Sequence, residues 1–95
     1  MDELLNKKIL IVDDESELLR MIEDILFSEG FFNICTAENC KKAVSIAKAQ
    51  TISLFVLDVN LPDGNGFMLY NELRKVSNAP VIFLTARGEP DDRIR

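Results

Sequence analysis

The 95-residue sequence contains no histidine and only two cysteines. Without histidine the chain lacks the commonest general base and the commonest zinc ligand, which excludes Ser-His-Asp and Cys-His catalysis. Cys35 and Cys40 lie five residues apart, a spacing that matches no CxxC metal or redox motif. We therefore predict that the two cysteines are reduced and structural.

The sequence also lacks a basic excess and a long apolar run. It has 11 basic and 16 acidic residues, for a formal net charge of -5. This balance argues against nucleic-acid or anionic-membrane binding, because both need a basic surface. No apolar run approaches the roughly eighteen residues of a membrane span, and Met1-Asp2-Glu3 is acidic where a signal peptide is basic. We expect one cytoplasmic domain over residues 1–95, with no membrane partner.

Short apolar runs alternate with amphipathic stretches, a pattern typical of βα units around a parallel sheet. Runs without polar interruption indicate strands buried on both faces. We predict four strands, at residues 9–12, 32–37, 54–57 and 81–84. Crossovers between parallel strands are almost always right-handed, so the predicted fold class is α/β with a doubly wound parallel sheet.

Three helices are predicted between these strands from apolar residues at helical spacing, and a fourth is predicted to start at Asp91 or Asp92, after the last strand. Asp14 or Ser16 caps the first helix, Gly30 ends it, and Asn39 caps the second, which continues to about Ala49. The third helix spans about 67–76, after a loop of turn residues at 61–66. The side chains predicted to face the core are Leu18, Ile22, Ile25 and Leu26 in the first helix, Ala43, Val44 and Ala47 in the second, and Leu69, Leu73 and Val76 in the third.

Three carboxylates follow predicted strands: Asp13 and Asp14 after the first, and Asp58 after the third. Neighbouring strands lie about 4.8 Å apart, so the three groups converge if these strands are adjacent. Two charges about 4 Å apart repel by roughly 1 kcal/mol in water and about 4 kcal/mol near a protein surface. A divalent cation relieves that repulsion, and an all-oxygen site suits Mg²⁺. Separately, Asp14 could be a helix cap and Asp58 a turn residue, but two acids at one sheet edge favour a site.

A carboxylate beside Mg²⁺ can attack phosphorus and form an acyl phosphate. Such a transfer needs charge neutralisation and hydrogen-bond donors for the phosphoryl oxygens. Thr85, at the end of the fourth predicted strand, offers a hydroxyl, and the small Ala86 lets backbone N–H approach. Without the three acids, the preferred interpretation of Thr85 would be an ordinary β-branched strand terminus.

Three blocks of this sequence resemble the receiver domain of two-component response regulators: residues 9–15, 56–67 and 80–86. The resemblance covers the whole chain and implies a flavodoxin-like fold with strand order 2-1-3-4. It implies that Asp58 accepts a phosphoryl group from a phosphohistidine of a sensor histidine kinase. Asp13, Asp14 and the backbone carbonyl of Asn60 would hold Mg²⁺ with Asp58, Thr85 would be the switch hydroxyl, and Ala86 would contact the phosphoryl group through its backbone.

The resemblance also predicts a regulatory phosphoacceptor domain that assists its own phosphorylation and dephosphorylation but is no enzyme in the ordinary sense. Residues 85–89 and 92–93 most resemble receivers fused to winged-helix domains, so DNA would be bound only through an effector domain that is missing here. The family pattern continues through a fifth strand bearing a lysine and a fifth helix, which these 95 residues lack. We therefore expect impaired phosphorylation of this chain, and self-association through the exposed edge of the fourth strand.

Two alternatives stay open. A flavodoxin-like cofactor binder would need a phosphate cradle after the first strand, where Asp13-Asp14-Glu15 would repel phosphate. An interaction module that keeps the fold without phosphotransfer would bind neither Mg²⁺ nor a phosphate mimic.

Overall fold

The computed structural model describes residues 2–84, which form four helices and six strands. The helices are α1 (Asp2–Leu5), α2 (Ser16–Ser28), α3 (Cys40–Ala49) and α4 (Gly66–Arg74). The strands are β1 (Ile9–Val12), β2 (Ile34–Ala37), β3 (Leu54–Asp58), β4 (Asn60–Leu61), β5 (Gly64–Asn65) and β6 (Val81–Leu84). Within residues 2–84, no helix is long and apolar enough to cross a membrane.

The main sheet has four parallel strands in the order β2-β1-β3-β6. Since β6 is the fourth predicted strand, the predicted order 2-1-3-4 and the doubly wound α/β fold are confirmed. In the register, Ile9 lies opposite both Ile34 and Leu54, and Phe55 lies opposite Val81. The two inner strands β1 and β3 are almost wholly buried, as expected for strands covered on both faces.

Two hydrophobic clusters cover the two faces of this sheet. On one face, Leu10 and Phe55 pack with Ala43 and Ala47 of α3 and with Leu69 and Leu73 of α4. On the other face, Ile9, Ile11 and Val56 pack with Leu19 of α2. Alternate residues of β1 therefore pack into the clusters on opposite faces of the sheet. This packing on both faces fixes the positions of the strands and of the residues at their carboxyl ends.

Several predicted helix ends are confirmed. The Asn39 side chain accepts a hydrogen bond from the Lys42 backbone N–H at 2.8 Å and so caps α3. Gly30 follows the end of α2 with φ of 103°, and its N–H donates to the Phe27 carbonyl at 3.0 Å. A left-handed glycine of this kind is a standard helix stop.

The predictions for α2 were wrong in two respects. Its N-cap residue is Glu15 rather than Asp14 or Ser16, and no side-chain bond caps it. Leu19 is buried whereas Ile25 is 55% exposed. The side of α2 that faces the sheet therefore contains Leu19, with Ile22 and Leu26 packing beside it, and does not contain Ile25.

Other boundaries differ from the predictions more modestly. The strand β2 begins at Ile34, two residues later than predicted, and the short helix α1 was not predicted. The helix α4 ends at Arg74, so Val76 lies beyond it and is exposed rather than inward. Part of the predicted loop at 61–66 belongs to an antiparallel hairpin of β4 and β5. The fourth helix predicted to start at Asp91 or Asp92 lies outside the described residues.

Candidate functional site

Asp13, Asp14 and Asp58 meet at the carboxyl edge of the sheet. Val12 and Leu57 are register partners in the paired strands β1 and β3. Asp13 and Asp58, which follow these two residues in the chain, are therefore neighbours. One carboxylate oxygen from each of the three aspartates lies within 4.8 Å of the other two. The sequence prediction that the three acids converge is confirmed.

The three carboxylates differ in burial. Asp13 and Asp58 have no exposed surface, whereas Asp14 is exposed. An all-oxygen donor set with an exposed member suits Mg²⁺, which keeps several of its waters when it binds to carboxylates. The residues present therefore fit a magnesium ion by the chemistry of their donors.

Local backbone contacts fix Asp13. Its N–H donates to the Ala37 carbonyl at 3.1 Å, which continues the pairing of β1 with β2. Its side-chain Oδ1 accepts the Glu15 N–H at 2.8 Å, a short turn that aspartate forms readily. The side chain is thus oriented by the start of α2 while it lies beside Asp58.

Gly66 lets the start of α4 approach the backbone of Asp58. The Gly66 N–H donates to the Val59 carbonyl at 2.8 Å. A Cβ on residue 66 would lie 2.4 Å from the Asp58 carbonyl oxygen, a distance that requires the backbone to move. Glycine is required here by contact with the backbone of the aspartate itself.

Asn60 and the residues after β6 were also predicted to belong to the site. Asn60 begins β4, two residues after Asp58, and pairs with Asn65 across the hairpin. Leu84, the last residue of β6, lies opposite Asp58 in the register. The predicted switch residue Thr85 and the predicted phosphoryl contact Ala86 lie outside the described residues.

Sequence reasoning missed the role of Asp63. Its carboxylate accepts the backbone N–H groups of Cys40 at 2.8 Å and Lys41 at 3.1 Å, at the first turn of α3. The hydrogen bond from Cys40 is the largest of the causes that lower the pKa of Asp63. The only signal in the sequence was a turn-rich stretch, and nothing local identifies a partner 22 residues away.

The Cys40 side chain contacts the β4–β5 hairpin that contains Asp63, and its thiol donates to the Asn65 carbonyl at 3.9 Å. Burial above all, and then the hydrogen bond and charge of Asp63, raise the pKa of the Cys40 thiol to about 11. The group is therefore a protonated thiol at neutral pH and is unreactive compared with a thiolate. Cys35 and Cys40 are both free thiols in the described structure, and their reduced state stays a prediction.

The sequence profile described as "Response regulator receiver domain" matches residues 9–95. The chain is 40% identical over 89 residues to the transcriptional regulatory protein YvrH of Bacillus subtilis, covering 94% of this chain and 38% of YvrH. A two-component response regulator from Clostridium difficile is structurally similar, with a TM-score of 0.82 and 27% identity over 94% of this chain and 73% of that one. A chain of the CheX-CheY-BeF3-Mg complex from Borrelia burgdorferi is also structurally similar, with a TM-score of 0.79 and 31% identity. The match covers 90% of this chain and 66% of that one.

These similarities concern only part of the relatives. The chain spans less than two fifths of the length of YvrH, and its alignment includes nearly all of the 95 residues. The matched region contains all three converging aspartates and the hairpin that follows Asp58.

The close approach of Gly66 to Asp58 generates a prediction. Replacing Gly66 with alanine should lower the free energy of unfolding by about 1–3 kcal/mol, as is usual when a group is forced into a filled site. Urea unfolding measures this, with Ser45→Ala on the exposed side of α3 as a control that should change stability by less than about 0.5 kcal/mol. A Gly66→Ala protein as stable as the parent would contradict the close contact with the Asp58 carbonyl.

Proposed function

Because the chain belongs to the response regulator receiver family, we propose that Asp58 is its phosphoacceptor, which takes a phosphoryl group from a phosphohistidine of a sensor histidine kinase. The observation that carries this proposal is the convergence of Asp58 with Asp13 and Asp14 at the carboxyl edge of the sheet. Ligand sites of doubly wound sheets lie at this edge.

In the proposed reaction a carboxylate oxygen of Asp58 attacks the phosphorus atom of the phosphohistidine. The new O–P bond makes an acyl phosphate while the N–P bond breaks, and the electron pair returns to the imidazole nitrogen, which takes up a proton. A carboxylate oxygen is itself the nucleophile in this step, so the proposed attack uses no activating base. Water later takes the phosphoryl group as the O–P bond to Asp58 breaks, which releases inorganic phosphate and returns Asp58 to the carboxylate.

The charges around Asp58 make the transfer depend on a cation. A phosphoryl group adds further negative oxygens to a cluster of three carboxylates, and like charges at this spacing repel strongly in a poorly solvated site. Asp13, Asp14, Asp58 and the backbone carbonyl of Asn60 would hold Mg²⁺. When bound, the ion neutralises charge on the carboxylates and on the phosphoryl oxygens.

The switch part of the proposal involves residues after β6. We place the Thr85 hydroxyl and the Ala86 backbone N–H as donors to the phosphoryl oxygens, supported by the position of Leu84 opposite Asp58. Phosphorylation of Asp58 would then draw Thr85 toward the phosphoryl group and change the surface around Thr85. Thr85→Ala should accordingly preserve phosphorylation and weaken the downstream response.

The domain itself is a regulatory phosphoacceptor, and its relatives are transcriptional regulators. We propose that the protein is cytoplasmic and that any DNA contact is made by an effector domain rather than by this acidic receiver. We also propose that the domain assists the gain and loss of its own phosphoryl group.

A second proposal concerns self-association of the 95-residue chain. Ile82 is the register partner of Val56 and so projects from the sheet face that α2 covers, yet it is 52% exposed. On the same side, Met21 and Ile25 of α2 are also more than half exposed. Within residues 2–84, no strand pairs with the outer edge of β6. We propose that a second copy covers this edge and face in a two-fold dimer.

The magnesium site generates the first prediction of this subsection. Mg²⁺ at about 100 times its Kd should stabilise the protein by about 2.7 kcal/mol through linkage, and raise the melting temperature accordingly. Asp14→Asn should remove most of this gain, whereas Asp24→Asn, an exposed acid of α2, should retain it. A melting temperature of the folded parent that ignores Mg²⁺ would exclude the site.

The phosphoacceptor generates the next prediction. Asp58→Asn should abolish labelling by a small-molecule phosphodonor in the presence of Mg²⁺, because an amide cannot form the acyl phosphate. Asp24→Asn should be labelled like the parent. Label that survives in Asp58→Asn would place the acceptor elsewhere, and a full-length protein that is never labelled would favour the phosphorylation-independent interaction module.

The exposed edge of β6 generates a prediction about assembly. At tens of micromolar, on the order of the concentration where weak dimers form, the 95-residue chain should sediment as a dimer. Ile82→Lys should give a monomer, because an ammonium group is costly to bury in an apolar interface. Phe32→Lys, a change at a side chain that is 64% exposed elsewhere, should leave the dimer intact. A parent chain that is monomeric at this concentration would refute the proposal.

A further inference from the structure

We propose that Asp63 is a positioning residue for the magnesium site, because it ties the hairpin that carries Asn60 to the start of α3. This inference rests on the proposed function, in which the Asn60 carbonyl and the three aspartates hold Mg²⁺. It adds to that site a residue that would touch neither the ion nor the phosphoryl group.

The first observation is the pair of hydrogen bonds that Asp63 accepts. The N–H groups of Cys40 and Lys41 belong to the first turn of α3, where backbone donors have no acceptor within the helix. A carboxylate at this end of a helix is also favoured by the helix dipole. The lowered pKa of Asp63 agrees with an anion stabilised by these donors.

The second observation is how the hairpin is held elsewhere. At its root, the Gly66 N–H binds the Val59 carbonyl at 2.8 Å. Between root and tip, only the two pairs Asn60–Asn65 and Leu61–Gly64 join β4 and β5. A ladder this short is not stable by itself. Leu61 is buried in the core cluster, and the Cys40 thiol donates to the Asn65 carbonyl at 3.9 Å. The two bonds of Asp63 are shorter than this thiol bond and join the hairpin tip directly to the backbone of α3.

These contacts predict how the Asn60 carbonyl would behave without Asp63. Residue 60 lies three positions before Asp63, and the hairpin would retain its root at Gly66 but lose the two hydrogen bonds that join its tip to the α3 backbone. The Asn60 carbonyl would then sample a wider range of positions relative to the aspartates. Residues that orient a metal ligand from outside the coordination sphere typically change metal affinity by roughly 10–100-fold when they are replaced.

Asn39 provides a matched control, because it caps the same helix from outside the hairpin. Its side chain accepts the Lys42 N–H at 2.8 Å, the next donor along the first turn of α3. Asn39→Ala therefore removes a cap of α3 and leaves the hairpin attached. Asp63→Ala also removes a cap of α3, and in addition it removes both hydrogen bonds between the hairpin tip and the α3 backbone.

The experiment is a calorimetric titration of the protein with Mg²⁺ alone, accompanied by melting curves without Mg²⁺. We expect Asp63→Ala to bind Mg²⁺ about tenfold more weakly, at the lower end of the range for such residues. Asp63→Asn retains one acceptor oxygen and should lie between Asp63→Ala and the parent. Asn39→Ala should lower the melting temperature as Asp63→Ala does, yet keep the Mg²⁺ affinity within about twofold of the parent, since its ligands stay in place.

Two results would overturn the inference while leaving the proposed function intact. One is an Asp63→Ala protein that binds Mg²⁺ as tightly as the parent. The other is an equal loss of affinity in Asp63→Ala and Asn39→Ala, which would mean that the integrity of α3 matters rather than the attachment of the hairpin. A folded parent that does not bind Mg²⁺ at all would instead reject the magnesium site, and the role of Asp63 with it.

Discussion

The mutual repulsion of three carboxylates at one edge of the sheet is the constraint on which the site depends. Asp13 and Asp58 are wholly buried, and an oxygen of each lies within 4.8 Å of one from Asp14. Burying charged groups is expensive unless other groups compensate them. Part of the compensation for Asp13 is the Glu15 N–H, which its Oδ1 accepts. The arrangement is best suited to a bound cation, so the fold holds three acids in a geometry that favours ion binding.

The rest of the structure keeps these acids from moving apart. The inner strands β1 and β3 are packed on both faces, so the register that places Asp13 beside Asp58 cannot slip without exposing the core. Gly66 brings α4 against the Asp58 backbone, and Asp63 attaches the intervening hairpin to α3. Packing therefore fixes the aspartates, and a few polar contacts fix the segment that follows Asp58.

The sequence predicted those features that depend on local pattern and on parallel-sheet geometry. The apolar runs gave the strands, and since strands one and three are neighbours, the acids that follow them had to converge. Which side of α2 faces the sheet was not predictable from the residues of the helix alone. Leu19 and Ile25 are both large aliphatic residues, yet Leu19 is buried against the sheet and Ile25 is exposed. The bond from Asp63 to Cys40 spans 23 residues and depends on how α3 and the hairpin pack together. Long-range polar contacts of this kind leave no local periodicity to detect.

The most direct test of the central claim is to locate the phosphoryl group chemically. An acyl phosphate is reduced by borohydride to an alcohol, so phosphorylated protein should yield a peptide in which residue 58 has become homoserine, identified by mass spectrometry. The account predicts this change at Asp58 alone and only in samples phosphorylated with Mg²⁺ present. Homoserine at Asp13 or Asp14 with Asp58 unchanged, or phosphate in a linkage that resists reduction, would contradict it.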